Sequence, residues 1–533
     1  MDTHETEARA GYQRLGSILA EIYGNELAGS HSSRFVELIE QFSATPKTHQ
    51  VSERDVILIT YADNIYTDNQ RPLETLRIFS ESHVKGWINS IHILPHYPST
   101  CDRGFGVSDY LSVDPKNGTW QDVQKLSGEF HLMFDGVFNH SSSSHEWFKR
   151  FLAGDSKYAE YYIAFDTSVD VSLATRARAH PLLTPFETPT GTKYVWSTFS
   201  DDQVDLNYHN PNVLYDIIAT LLEYVKHGAD LIRFDAVGFI WKELGTNSMH
   251  RPQAHAIARF MREVLELAAP WVWLVTETNV PHEENIAYFG DGHNEALMVY
   301  NFTLPTILVH TLQTGDASSL ADWAKTLETP SSETHFFNFT ASHDGIGLRG
   351  VTGILSDAEV AAMCERTEER GGYLSMKSNT DGSESVYEMN ISYFNAVADP
   401  LLDRSAQVAQ FLSTQAIVLS LKGVPGIYIH SLLGSENWKE GLGETSVKRA
   451  INRERLVVEV VERELQDTAS LRKQVFDRYS HLLTIRTGES AFSPLASQVV
   501  RDYGPAVFGV ERMSPDRQET ILALHNITKD SVP

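Results

Sequence analysis

The sequence predicts an α/β fold: a (β/α)8 barrel of the TIM type, with an inserted lobe after strand 3, a lid insertion after strand 7 and a small C-terminal β domain. Two observations carry this reading. Short apolar, strand-like runs recur between longer helical patterns, the signature of alternating β and α units. Three of these segments also end in an acid, and the C-terminal ends of barrel strands are where side chains from separate strands converge.

In chain order, residues 1–50 read as helices beside a barrel that occupies 51–140 and 209–483. Its eight strands are expected at Val56–Tyr61, Ile91–Leu94, Leu132–Phe134, Leu231–Phe234, Val272–Val275, Leu297–Tyr300, Phe336–Phe339 and Gly426–Ile429. Helical periods fall between several of them, as at Asn212–Lys226 and Gln253–Leu267. Two intervals are too long for plain connections. Residues 141–208 carry Pro181-Leu-Leu-Thr-Pro185, Thr188-Pro-Thr-Gly191 and few regular periods, and read as an inserted lobe. Residues 349–405 contain Glu369-Arg-Gly-Gly372 and Asn379-Thr-Asp-Gly382, turn sequences on a lid-like insertion. Residues 484–533, with the runs Ala506–Val510 and Ile521–Leu524, read as a small β domain that breaks off at Pro533.

The 533 residues are 42% hydrophobic and 10% aromatic, enough for one large core with satellites. A net charge of -26 argues against a nucleic-acid partner, which needs a basic face to neutralise phosphates. Only Cys101 and Cys364 are present, so no disulfide framework is called for and a reducing compartment is expected. The first residues are polar and acidic, and no segment is apolar for long enough to span a bilayer. These features point to a cytoplasmic protein without a membrane partner.

The three acidic segments are Ala229-Asp-Leu-Ile-Arg-Phe-Asp-Ala236, Trp273-Leu-Val-Thr-Glu277 and Phe337-Asn-Phe-Thr-Ala-Ser-His-Asp344. Strand side chains alternate between faces, so Arg233 and Asp235 point the same way and the arginine can hold the carboxylate oriented and charged. A single strand-terminal acid is more often a cap on the next helix. Three in order resist that explanation.

These motifs resemble the α-amylase family of glycoside hydrolases, and within it the sucrose phosphorylase subgroup. Phe134-Asp-Gly-Val-Phe-Asn-His140 is similar to the family's first signature, the Asp235 segment to the second, Thr276-Glu-Thr-Asn-Val-Pro-His282 to the third and Ala341-Ser-His-Asp-Gly345 to the fourth. The likeness runs from Asp55-Val-Ile-Leu-Ile-Thr-Tyr-Ala-Asp63 to Arg449-Ala-Ile-Asn-Arg453. It implies Asp235 as nucleophile, Glu277 as general acid/base and Asp344 as the carboxylate holding sugar hydroxyls. A retaining transfer needs two carboxyls about 5 Å apart with separated pKa values, Glu277 being the one pushed upward. His140 and His343 resemble paired sugar-hydroxyl ligands; alone, either reads as a core or capping histidine. In Pro98-Ser-Thr-Cys-Asp-Arg-Gly-Phe105, the resemblance implies that Asp102 binds outer hydroxyls and Phe105 is a platform. Arg453 would pair with Asp102 to close a pocket for one glucose, a surface salt bridge being its plainer reading, and Gln203 would reach the reaction centre.

The acceptor side departs from the sucrose enzymes, with Phe239 in place of a common tyrosine and Asn279 in place of a histidine. Arg349 and Lys377 lie on the insertion after Asp344, where cations suit phosphate or a carboxylate acceptor and are equally a lid's solvated charges. The implied activity is a retaining α-glucoside phosphorylase: glucose passes from an α-glucoside to Asp235, then to inorganic phosphate, giving α-glucose 1-phosphate. Glycerate is the expected acceptor, followed by glycerol, then fructose-type acceptors and water. A non-catalytic sugar-binding protein is the other class, and the retained Asp235, Glu277 and Asp344 argue against it. No cofactor and no metal are implied, and the oligomeric state is left open.

Overall fold

A computed structural model describes residues 3–379, 381–445 and 447–532. Eight parallel strands form its closed barrel: β1 (Ile57–Thr60), β2 (Ser90–Ile93), β3 (His131–Gly136), β4 (Ala229–Phe234), β5 (Trp273–Thr276), β6 (Met298–Tyr300), β7 (His335–Phe339) and β8 (Val424–Tyr428). Each coincides with one of the apolar runs read from the sequence. They pair in chain order, and the ring closes through β1 and β8, with Ile57 opposite Gly426 and Leu58 opposite Ile427. These strands are largely apolar because both faces are covered, by the barrel interior and by the helices outside, and their polar members such as His92, Asp135 and Arg233 are buried as well.

Helices Pro72–His83, Pro211–Lys226 and Pro252–Ala268 each start with proline in the first turn, where its missing N–H costs nothing and its fixed φ suits the helix. The Asn210 side chain also accepts the Asn212 N–H at 3.0 Å, capping the second of them. Two N-terminal helices, Thr3–Tyr23 and Asn25–Glu40, pack on this outer layer. Phe35 meets Phe260 edge-on at 4.9 Å, and Arg14 pairs with Glu263 at 2.8 Å.

Between β3 and β4 the chain is more regular than its sequence suggests. Leu183–Thr188 and Gly191–Trp196 form an antiparallel hairpin whose second strand also pairs with Ala164–Phe165. The Pro181–Pro185 and Thr188–Gly191 stretches are therefore an edge strand and its turn. Pro185 is tolerated because Leu183–Thr188 lies at the sheet's edge, where no ladder needs its N–H. A short ladder, His140–Ser142 with Gln203–Asp205, joins this segment to the barrel. Beside it the buried Lys242 ammonium bonds Asp205 Oδ2 and Asn139 Oδ1, both at 2.5 Å.

After β7, the strands Ile346–Gly347, Tyr373–Ser378 and Glu384–Asn390 make a second antiparallel sheet with helix Asp357–Glu369. Glu369–Gly372 turns that helix into the hairpin, and Gly382, at φ 83°, lies between the hairpin's two strands. Thr380 of the Asn379–Gly382 sequence, like residues 1–2, 446 and Pro533, lies outside the described residues. The C-terminal strands Ser497–Asp502, Val507–Met513 and Thr520–Asn526 form an antiparallel meander. Buried Arg512 ties it to the barrel through the carbonyls of Ser420 and Ser493, at 2.8 and 2.7 Å.

Candidate active site

Strand alternation puts Arg233 and Asp235 on one side of β4, and the Arg233 Nη1 donates to Asp235 Oδ1 at 2.8 Å. The same nitrogen donates to Asp135 Oδ1 on β3, and Arg233 Nη2 lies 3.6 Å from Glu277 Oε2, just beyond β5. Ala236 follows Asp235 with φ 52°, a left-handed conformation costly for a residue with a Cβ. That kink turns its N–H onto Glu277 Oε2 at 3.1 Å, so local strain helps aim the second carboxyl.

Asp344 lies beyond β7, where Arg449 Nη1 reaches its Oδ1 at 2.6 Å. The far wall is Asp102, bonded by Arg453 at 3.0 Å and approached by Arg449 at 3.8 Å. Asp102 and Arg103 have φ of 43° and 51°, a second strained turn at the edge of the site. The Phe105 ring stacks on His343, centroids 4.7 Å apart and planes 7° from parallel. His140 Nε2 lies 3.1 Å from the Phe105 carbonyl and 3.0 Å from the Gln203 amide nitrogen. Together these groups line one cleft beyond the C-terminal ends of the barrel strands.

Of the residues picked from the sequence, Asp102, Phe105, His140, Gln203, Arg233, Asp235, Glu277, Asn279, His343 and Asp344 line this cavity. Arg453 backs it through Asp102. Phe239 packs edge-on against Phe199 at 5.5 Å with Met249 and Ala177, one layer behind the wall. Arg349 and Lys377 stand outside the lining; Arg349 Nη1 sits 3.8 Å from Met249 Sδ, and its charge together with burial lowers the Lys377 pKa.

Sequence reasoning gave no role to four lining residues with chemistry to offer: Arg178, Tyr387 and Glu388, the last two in a stretch it placed on the insertion near the mouth, and Arg449. Arg178 comes from the segment between β3 and β4, its guanidinium 5.1 Å from the Tyr387 ring centroid and 6.0 Å from that of Phe199. Its one side-chain hydrogen bond among the described residues goes to the Ala177 carbonyl at 3.2 Å. Nothing in its neighbourhood marks it, since it lies in an irregular stretch without period. Arg449 had a usable signal, a cation four positions before Arg453 in a short helical turn.

Arg233 was expected to hold Asp235 charged, and in the structure its pull is shared and opposed by neighbouring acids. Burial lifts the Asp235 carboxyl above its ordinary value, and Glu277, Asp135 and Asp344 add to this against the pull of Arg233, which is shared with Asp135. Burial lifts Glu277 as well, against Arg233 and with Asp344. The two carboxyls thus hold a proton between them well above the usual carboxylate range, and titrate as a pair. Hydrogen bonding favours Asp235 as the ionised member, because it takes the 2.8 Å guanidinium bond. Asp344 is the opposite case: although burial works against it, Arg449 and His343 hold its carboxyl well below the usual range. Burial pushes His140 down to about 4 and His343 to about 3, so both rings are neutral near pH 7. A carboxyl paired with a guanidinium and a second carboxyl raised by burial, facing one cleft, are the groups that a retaining double displacement uses.

The chain matches the alpha amylase catalytic domain over residues 86–365. It is 44% identical over 524 residues to a glucosylglycerate phosphorylase of Spirochaeta thermophila, covering 97% of this chain and 89% of that protein. It is 45% identical over 515 residues to a glucosylglycerate phosphorylase of Allomeiothermus silvanus, covering 94% of this chain and 92% of the relative. Its fold is similar to the crystal structure of sucrose 6F-phosphate phosphorylase from Thermoanaerobacter thermosaccharolyticum, with TM-score 0.77, 24% identity and coverage of 89% and 94% of the two chains.

Proposed function

The chain belongs to the alpha-amylase family, and from that premise we propose that it is a retaining phosphorylase, converting glucosylglycerate and phosphate reversibly to α-D-glucose 1-phosphate and glycerate. The observation that carries this reading is the 44–45% identity to glucosylglycerate phosphorylases along nearly the whole chain. In the first step Asp235 attacks the anomeric carbon as the bond to the glyceryl oxygen breaks, and Glu277 gives that oxygen its proton. Glycerate leaves and phosphate takes its place. A phosphate oxygen then attacks the glucosyl-Asp235 bond, passing its proton to Glu277, and two inversions restore the α configuration.

Asp344, low in pKa and fixed by Arg449, holds sugar hydroxyls as a permanent anion, and the neutral His140 and His343 bond others. Phe105 is the platform, Asp102 and Arg453 end the pocket after one glucose, and Gln203 steadies the reaction centre. Leaving acid and incoming phosphate are both anions. Arg178, a cation in the cavity without a carboxylate bond among the described residues, suits each in turn, with Asn279 in the same lining and Arg349 and Lys377 behind the mouth. The free thiols Cys101 and Cys364 support a cytoplasmic location, and no helix among the described residues is long and apolar enough to cross a membrane.

The test is an acceptor screen in the synthetic direction: α-glucose 1-phosphate with glycerate, glycerol, fructose and fructose 6-phosphate, reading phosphate release. Glycerate is expected to be the best acceptor. Glycerol as the best acceptor would make the enzyme a glucosylglycerol phosphorylase, and release in buffer alone would make it a hydrolase.

A further inference from the structure

Beneath the reacting carboxyls a line of buried charge runs across three adjacent strands. His92 on β2 donates from Nε2 to Asp135 Oδ2 at 2.7 Å; Asp135 Oδ1 accepts from Arg233 Nη1; and that same nitrogen holds Asp235. His92 and Asp135 are fully buried and Arg233 almost so. Among the described residues the His92 Nδ1 has no partner, so its bond to Asp135 is the one fixed use of the ring. Asp135 has two side-chain donors, His92 and Arg233, and each lone pair that one fails to engage falls to the other.

We propose that His92 is a positioning residue for the glycosyl transfer: by sharing Asp135 it sets how firmly Arg233 grips Asp235, and so which member of the Asp235–Glu277 pair keeps the proton. The inference rests on the double-displacement reading above. Burial keeps His92 neutral, so it acts as a hydrogen-bond donor and not as a second cation. Without it, the guanidinium is drawn toward the half-satisfied Asp135, and the 2.8 Å bond that favours ionised Asp235 weakens. The remaining charged and titratable neighbours do not substitute for it. Tyr300 on β6 lies under Arg233, its ring centroid 5.3 Å from the guanidinium carbon, and Glu277 faces it from β5. Asp344 and His343 approach from beyond β7, and His96 from beyond β2. None of these bonds the Asp135 carboxylate among the described residues.

The experiment measures the pH dependence of kcat/KM with an aryl α-glucoside, whose leaving group needs no proton, so the acidic limb reports ionisation of the nucleophile. In His92→Phe that limb is expected to move up by about half to one pH unit, a weakening of the Arg233 bond rather than its loss, since a whole charge-assisted hydrogen bond corresponds to about one to two units. His92→Gln, which keeps an N–H donor, should restore it. Asp135→Asn has the opposite sign: it removes a neighbouring negative charge and frees Arg233 for Asp235, so the limb moves down. A histidine that merely fills space would lower thermal stability and leave both limbs where they were, which would overturn the proposal, as would a shift of both variants in the same direction. Mass-spectrometric trapping separates the two levels of argument. If the unmodified enzyme labels Asp235 and the limbs stay put, only the role of His92 is wrong; if Asp235 is never labelled, the double-displacement reading falls and this inference with it.

Discussion

Arg449 Nη1 lies 2.6 Å from Asp344 Oδ1, while the other edge of the same guanidinium is clamped on Glu388 by two bonds of 2.8 Å. Glu388 belongs to the hairpin inserted after β7, and Gly345, next to Asp344, packs so closely that an added Cβ would meet Glu388 Cδ at 2.9 Å. The insertion is thus wired to the carboxylate assigned to the sugar hydroxyls, through two ion pairs that share the Arg449 guanidinium.

Glu388→Ala is expected to leave Arg449 buried with half its partners, a loss of about 3–5 kcal/mol for breaking a buried pair. Freed on one side, the guanidinium no longer holds Asp344 in one position, so kcat/KM should fall by at least about tenfold. Calorimetry and steady-state kinetics check the two effects. Unchanged kinetics with a lowered melting temperature would confine Glu388 to the fold.

Lys242 ties the segment between β3 and β4 to the barrel, because its ammonium joins Asp205 on the short ladder to Asn139 before His140. Lys242→Met should leave Asp205 buried without its countercharge and loosen both His140 and Gln203. Faster proteolysis within residues 141–208 and weaker sugar binding are the expected readings. Adding Asp205→Leu should recover stability, since replacing both members removes the stranded charge.

The neutral histidines give acid sensitivity with a definite sign. The His140 pKa is about 4 in the fold against about 6.5 in the unfolded chain, so between these values the unfolded state takes a proton that the fold refuses. Stability therefore falls as pH drops from about 6.5 to about 4 and is spent below that; the full shift corresponds to about 3 kcal/mol. The raised Asp235 and Glu277 work the other way, holding a proton in the fold that the unfolded chain has lost above about pH 4. His140→Asn removes only the first effect, so its melting temperature should decline less between pH 6.5 and 4 than that of the unmodified protein. An identical slope would mean that His140 already carries a proton in the fold.

The barrel was legible because its strands are covered on both faces: Val272–Val275 is apolar at every position and Phe336–Phe339 at all but Asn338. The Asp235, Glu277 and Asp344 segments stood out for a related reason, as acids that end such runs. The Leu183–Thr188 strand was hidden by prolines that an edge position excuses. Arg178 and Glu388 were invisible for a deeper reason. Their roles come from tertiary approach of two insertions over the barrel mouth, and neither period nor spacing encodes which charges will meet there.

The choice of glycerate over glycerol should rest on Arg178 more than on Arg349. Arg178 lines the cavity with Glu277 and Asn279, whereas Arg349 is turned toward Met249 and lies outside the lining. A carboxylate held by a cation in such a site gains roughly 1.5 to 3 kcal/mol over a neutral hydroxymethyl group, or about a ten- to hundredfold preference. Arg178→Ala is expected to cut use of glycerate by about that factor, and Arg349→Ala by less. The same guanidinium also suits the phosphate of the donor, so absolute rates with α-glucose 1-phosphate should fall for every acceptor. The ratio of glycerate to glycerol, measured at one donor concentration, cancels that common loss. A ratio unchanged in Arg178→Ala and collapsed in Arg349→Ala would move the carboxylate contact outward, to Arg349 on the short turn that follows Ile346–Gly347.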